Sequence, residues 1–345
     1  MRVLFDVSHP AHVHLFKHTI ERLQSEGHAV TVTSRKKDLT TDLLDAYGID
    51  HTPISAKGES KVTLVTEWVI REARMMSAVF SFDPDVIVSR LNPPAAHASV
   101  IARCPSIVFD DSEIVRFAGR ITHPFADVVC TPSNFDHNLG DKQERYDGFH
   151  ELAYLHPNQF EPDASLLEEY GIDVDETYSV LRFVSWDAHH DVNQRGFSKV
   201  GKEELVSRLS EHGEVYITSE SELPPEFESY RLPVPPEAVH HLLYYADLYV
   251  GDSQTMATEA AVLGTPAVRS NTFAKEGDMS NFVNLEEEYG LLRSTSDENE
   301  AIEIATEWIE EPALQAKWQK RRQNLVKDRI DVTEYIMDRI LEAVR

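Results

Sequence analysis

The sequence predicts an α/β protein of two doubly wound parallel-sheet domains facing each other across a cleft. Three observations lead there. Short runs rich in Val, Ile and Leu alternate with amphipathic stretches of helical period, the pattern of strands covered by helices on both faces. The 345 residues exceed what one core usually fills, about 250–300 residues. The alternation lapses over residues 154–165, where two prolines and no period mark a linker.

Taken in order, Arg2–Val7 reads as a strand and Ala11–Glu26 as a helix ended by Gly27. Ala29–Thr33 is the next strand, and Asp42–Tyr47 a helix stopped by Gly48. A long helix over Val62–Phe82 closes at Asp83-Pro84. Val86–Ser89, Ser106–Phe109 and Val128–Thr131 read as strands, with a helix at Ala95–Ala102 between the first two. Beyond the linker, Tyr178–Trp186, Glu214–Thr218, Asp247–Val250 and Pro266–Arg269 read as strands. Helices are expected at Pro236–Ala246 and at Gln254–Leu263, the latter ended by Gly264. The chain is helical from about Glu300, and Ile336, Ile340 and Val344 share one face of the last helix. The domains are therefore 1–157 and 158–330, with a final helix over 331–345 returning to the first.

The chain has 59 acids and 33 Lys plus Arg, for a net charge of -26. Residues 1–172 hold 25 acids and 173–345 hold 34, so the acidity is spread out rather than a tail. With 12 Lys against 21 Arg, this coat reads as halophilic adaptation, since screened carboxylates stay hydrated in high salt, with an ordinary acidic cytosolic protein as the alternative. Such a charge disfavours nucleic acid and anionic lipid as partners. Two cysteines make no disulfide framework and have no metal-ligand spacing. The N-terminus lacks a secretion signal and no apolar run approaches the roughly 20 residues that span a bilayer. These features suit a soluble, cytoplasmic protein.

In doubly wound sheets, ligands sit at the carboxyl ends of strands, so the polar groups that follow strands are the site candidates. Asp247–Arg269 reads DLYVGDSQTMATEAAVLGTPAVR. Ser253 suits an N-cap, and the backbone N–H groups of Gln254 and Thr255 at a positive helix end suit a phosphate. Glu259, nearly two turns on, suits two vicinal hydroxyls such as a ribose; an ordinary capped helix with a surface Glu is the plainer alternative. After the first strand come Ser8, His9, His12 and His14, with His18 beyond. His14 and His18 share a helix face as zinc ligands do, but no third ligand follows, so no metal is assigned. His12 suits a general base or an acceptor contact, with His9 beside it, against a capping or core role for either. Asp110, Asp111 and Glu113 follow another strand; if they converge they raise one another's pKa, and Asp111 and Glu113 are the better placed to take a proton. A capped turn is the alternative. Trp186 suits stacking on a base or sugar, or core packing. Arg182 inside its strand needs a buried partner.

The 247–269 segment resembles the nucleotide-binding helix of the GT-B enzymes, the glycosyltransferases and UDP-N-acetylglucosamine 2-epimerases with two Rossmann-type domains. The epimerases carry DSGG and then Glu-Ala at matching spacing; this chain has Asp252-Ser253, Glu259-Ala260 and Leu263-Gly264-x-Pro266, with Gln254-Thr255 replacing the glycines. The resemblance implies that His189 or His190 donates to the diphosphate and that Lys275 lies where donor hydroxyls are contacted. The first loop resembles the His-ending loop of the glycosyltransferases that form lipid II, with His12 at the His and the glycines absent. The words SHPAHVHLF, FDDSE, LRFVSWDAHHD and MATEAAVLGTP are similar, over nearly the whole chain, to the mostly archaeal family called domain of unknown function 354.

This implies a metal-independent glycosyltransferase with a nucleotide-sugar donor, a UDP-sugar first among them, and a glycan or lipid-linked acceptor. No cofactor is implied. A 2-epimerase is the second reading, weakened because Arg90-Leu91-Asn92-Pro93 stands where epimerases carry a Gly-Asp pair. A non-catalytic sugar-nucleotide-binding module is the third.

Overall fold

The computed structural model describes residues 1–58, 61–184, 196–219, 222–271, 274 and 278–345. The chain forms two units, one of Met1–Gln159 with Arg329–Arg345 and the other of Phe160–Asp328. In the first, the strands are β1 (Arg2–Val7), β2 (Ala29–Lys36), β3 (His51–Ala56), β4 (Val86–Arg90), β5 (Ser106–Phe109), β6 (Val128–Pro132) and β7 (Gln143–Tyr146). Its helices are α1 (Pro10–Ser25), α2 (Thr40–Ala46), α3 (Lys61–Phe82), α4 (Pro93–Ala102), α5 (Arg116–Thr122) and α6 (Leu152–Leu155). The seven strands are parallel in the order β3-β2-β1-β4-β5-β6-β7. The order reverses between β1 and β4, the switch point at which such sheets take ligands.

Proline at the first position starts both α1 and α4, because an absent N–H costs nothing there. On one face of the sheet, Leu4, Ile54 and Ile87 pack with Met75 and Val79 of α3 and Ala95 and Ala98 of α4. Phe5, Phe16 and Phe109 interlock, with ring centroids 5.4 and 5.8 Å apart. A polar network crosses this interior. Arg71 of α3 donates to both oxygens of Asp6 on β1, at 2.9 and 2.8 Å, and to Ser55 Oγ at 3.0 Å. Thr33 Oγ1 donates to Asp6 at 2.7 Å. Neighbouring Glu67 takes a two-pronged bond from Arg35 at 2.6 and 2.7 Å.

The second unit contains α7 (Ala164–Glu168), β8 (Tyr178–Phe183), α8 (Lys199–Leu209), β9 (Glu214–Ser219), α9 (Val239–Tyr245), β10 (Leu248–Gly251) and α10 (Gln254–Leu263). There follow β11 (Ala267–Ser270), α11 (Ser280–Val283), β12 (Leu292–Thr295), α12 (Glu298–Ile309) and α13 (Leu314–Asp328). Its five strands are parallel in the order β12-β11-β10-β8-β9, with the switch between β8 and β10. Leu181, Leu205, Ile217, Val250, Val268 and Ile302 fill its core.

The last helix, α14 (Val332–Ala343), belongs to the first unit, where it lies on α1 and Thr333 Oγ1 donates to the Ala153 carbonyl at 2.6 Å. Ile336 and Ile340 are buried as their spacing requires, but Val344 lies beyond the helix end and is exposed. Two other spans differ from expectation. The strand at Tyr178 ends at Phe183. Pro235 and Pro236 turn the start of the 236–246 segment into a tighter turn over Pro236–Ala238, and the α-helix begins at Val239. No helix among the described residues is long and apolar enough to cross a membrane.

Candidate active site

In the first unit, polar side chains gather past the ends of β1, β4 and β5, around the switch point. His9 caps α1, its Nδ1 accepting the Ala11 N–H at 3.2 Å. One turn on, His12 Nδ1 lies 3.4 Å from both the Ser8 N–H, which donates to it, and the Ser8 hydroxyl. Both rings therefore accept through Nδ1, so a neutral ring keeps its proton on Nε2 and donates from there. Both are held neutral. Burial, then Lys37 and Arg90, pushes His9 down to about 4. Burial, then Arg90 and His9, lowers His12 well below the usual histidine value.

Arg90, at the end of β4, pairs with Asp111 beyond β5. The parallel register explains the meeting: Arg90 stands opposite Phe109, which places the next loop residues over the guanidinium. Asp111 Oδ2 also lies 2.9 Å from Nδ1 of His150, off the line a hydrogen bond needs. His150 is buried, stacked on Tyr146 with ring centroids 6.1 Å apart, and neither ring nitrogen has a hydrogen-bond partner among the described residues. Burial and Arg90 keep it neutral. The Tyr146 hydroxyl and Asn92 Nδ2 are likewise buried without a partner among the described residues. Buried polar groups are normally satisfied, so this cluster has the makings of a ligand site.

The three carboxylates of the 110–113 loop do not converge. Asp110 is buried and accepts from the Ser112 N–H at 3.0 Å, with His123 Nε2 also at 3.0 Å. Asp111 faces Arg90. Glu113 Oε1 accepts the Asp136 N–H at 3.2 Å, which fixes the loop after β6. Each is drawn to a different partner, because together they would repel. His14 and His18 do not form a metal site either: His14 is buried and stacks on Tyr154 at 5.1 Å, while His18 lies 3.8 Å from Glu21. No group of three or more His, Cys, Asp or Glu among the described residues is arranged to hold a metal.

In the second unit, β10 runs into Gly251-Asp252-Ser253. A side chain on Gly251 would meet the Arg182 carbonyl at 2.4 Å, so only glycine lets β10 lie this close to β8. Asp252 turns inward, its Oδ1 accepting the Val184 N–H at 2.8 Å. Ser253 caps α10, its Oγ accepting the Met256 N–H at 3.5 Å. The N–H groups of Gln254 and Thr255, in the first turn, have no carbonyl one turn back within the helix, and both residues are half-buried. Gly264, at φ +78°, ends α10 in the left-handed conformation. Glu259 is not a surface residue: it is 4% exposed, and its Oε1 lies 3.1 Å from Nε2 of buried His240 on α9. Arg182 donates to Thr218 Oγ1 at 2.9 Å across the β8–β9 pair. Trp186, His189, His190 and Lys275 lie outside the described residues.

The neutral histidines make stability depend on pH. His9 and His18 titrate at about 4 when folded, against about 6.5 when unfolded. Between those values the unfolded chain binds more protons, so stability falls as the pH is lowered from 6.5 towards 4, by up to ~1.4 kcal/mol per pH unit for each histidine. Urea midpoints at pH 7.5, 6 and 5 should decrease in that order; equal midpoints would contradict the neutral state of these histidines.

Known proteins align with most or all of this chain. An uncharacterized protein of Methanocaldococcus jannaschii, MJ0665, is 25% identical over 282 residues, covering 77% of this chain and 80% of that protein. The UDP-GlcNAc 2-epimerase of Neisseria meningitidis, solved bound to UDP-GlcNAc, superposes with a TM-score of 0.66 at 14% identity, covering 99% of this chain and 100% of that one. The spinosyn forosaminyltransferase SpnP gives 0.65 at 14% identity, covering 100% and 99%. The fold is thus that of the GT-B glycosyltransferases and UDP-GlcNAc 2-epimerases. A family model covers residues 1–345, and the chain belongs to that family, described as a protein of unknown function (DUF354).

Proposed function

We propose that the chain is a glycosyltransferase that moves a sugar from a nucleotide donor, a UDP-sugar first among them, to an acceptor hydroxyl without a metal ion. The start of α10 carries this reading: it follows β10 at the switch point of its sheet, and the amides of its first turn have no carbonyl partner within the helix. Those of Gln254 and Thr255, at the positive helix end, would hold the diphosphate and stabilise it as it departs. Glu259 would take the ribose, with His240 fixing its rotamer. In the first unit, the Nε2–H groups of His9 and His12 would donate to acceptor oxygens. His150 would receive the acceptor proton at Nε2, and a small ring rotation would set its Nδ1–H on Asp111. The acceptor oxygen bonds to the anomeric carbon as the bond from that carbon to the diphosphate breaks, the electron pair leaving with phosphate.

Calorimetry with UDP-, GDP- and dTDP-sugars tests the reading. One donor should bind, and it should be consumed only when an acceptor is added. Exchange of the C2 proton with solvent in the absence of acceptor would establish the epimerase instead, and silence across the panel would end both. Glu259→Ala should weaken donor binding roughly 10- to 100-fold, the worth of hydrogen bonds to a charged group. Glu259→Gln keeps a partner for His240, so a weakened Kd with an unchanged Tm would separate ribose binding from folding.

A further inference from the structure

The acid coat has one large interruption. About one residue in six is acidic over the whole chain, 59 of 345, yet the 44 residues of α3, α4 and 114–125 hold only Glu67 and Glu72. Both are engaged, Glu67 by Arg35 and Glu72 by Trp68 and His97. The same stretches supply 12 of the 19 exposed large apolar side chains among the described residues. Val65, Val69 and Phe80 of α3, Ile101 of α4 and Phe117 of α5 are 67, 63, 61, 60 and 71% exposed.

These helices form one layer. α4 packs between α3 and α5. Glu72 Oε1 accepts from Trp68 Nε1 at 3.1 Å and meets His97 Nδ1 at 2.9 Å, while His97 Nε2 reaches the Ile121 carbonyl at 2.9 Å. The bridge ties all three helices together beneath the apolar side chains. Such a broad apolar face is unusual on an isolated soluble chain.

We infer that this layer is the interface with a second copy of the chain, two α3–α4–α5 faces meeting about a two-fold axis. Charge selects the occupant. Two bodies of net charge -26 repel, so they associate stably only through surface without carboxylates, and the interruption lies on an apolar face. An anionic bilayer would need a broad cationic face, and among the described residues the exposed bases of the layer are Arg74, Arg116 and Arg120, with Arg103 at the C-cap of α4. The inference is independent of the proposed reaction.

Light scattering and sedimentation equilibrium on the full chain test it. The mass should be twice 39.2 kDa, and the dimer Kd should fall as salt rises, because screening removes repulsion while apolar contact persists. Val69→Glu/Phe117→Glu should raise the dimer Kd at least a hundredfold with an unchanged circular dichroism spectrum. Should that variant misfold, Val69→Cys with a bismaleimide provides a second measurement: the native cysteines are buried, so a covalent dimer is expected. A wild-type monomer at every salt concentration, a dimer indifferent to both variants, or a monomer that floats with phosphatidylglycerol vesicles would overturn the inference, the last by making lipid the occupant.

Discussion

Replacing His150 with Gln should lower turnover ~10²–10⁴-fold, the usual worth of a general base, while donor affinity changes less than about twofold. The split between kcat and Kd follows from position. His150 lies past β7 in the first unit, whereas the residues proposed to hold the nucleotide are in the second. Asp111→Asn should also reduce kcat, by less, because His150 keeps its ring but loses the carboxylate that would orient it. The pH profile distinguishes a base from a bystander. Burial and Arg90 hold His150 well below its ordinary value, so its proton-accepting form persists under mild acidity. The rate should stay level as the pH falls through 6.5, where an exposed histidine would already lose it. A variant with wild-type turnover, or a rate halved near pH 6.5, would remove His150 from the mechanism.

His150 also shows where sequence reading stops. The loops after β1, β5 and β10 stand out because polar residues follow apolar runs, and they lie at strand ends. His150 follows a short polar strand, Gln-Glu-Arg-Tyr, which no hydrophobic period announces. Arg90 reads in the sequence only as a departure from a Gly-Asp pair; its meeting with Asp111 depends on the β4–β5 register. Both outer strands of this sheet were hidden for the same reason. β3 contains Pro53 and β7 is polar, and an edge strand with one neighbour tolerates both. Interior strands must be apolar on two faces, so they declare themselves. Glu259 illustrates another limit: helix spacing gives its turn, but its burial and its His240 partner come from how α9 packs on α10. Likewise, net charge is a property of the whole chain, while the carboxylate-poor layer appears only when α3, α4 and α5 are placed side by side.

Asp6→Ala should destabilise the first unit by ~3–5 kcal/mol, the cost of leaving a buried charge without its counterion. That is a large fraction of a typical stability of about 5–15 kcal/mol. Asp6 is fully buried in β1, next to the switch point, and both its oxygens accept from Arg71. Removing the carboxylate leaves the guanidinium inside α3 with Ser55 as its remaining hydrogen-bond partner among these groups, and Thr33 loses an acceptor. The double change Asp6→Leu/Arg71→Met should recover most of the loss, since replacing both charges by apolar side chains removes the desolvation penalty with the attraction. The site would nevertheless register it. Arg71 is one of the cations that lower the His12 pKa, so the double variant should change the His12 titration, readable from its imidazole chemical shifts against pH. Urea unfolding of the variants decides the stability claim. A loss below about 1 kcal/mol for Asp6→Ala would mean that water reaches Arg71, and the buried pair would then be no more than an exposed one in energy.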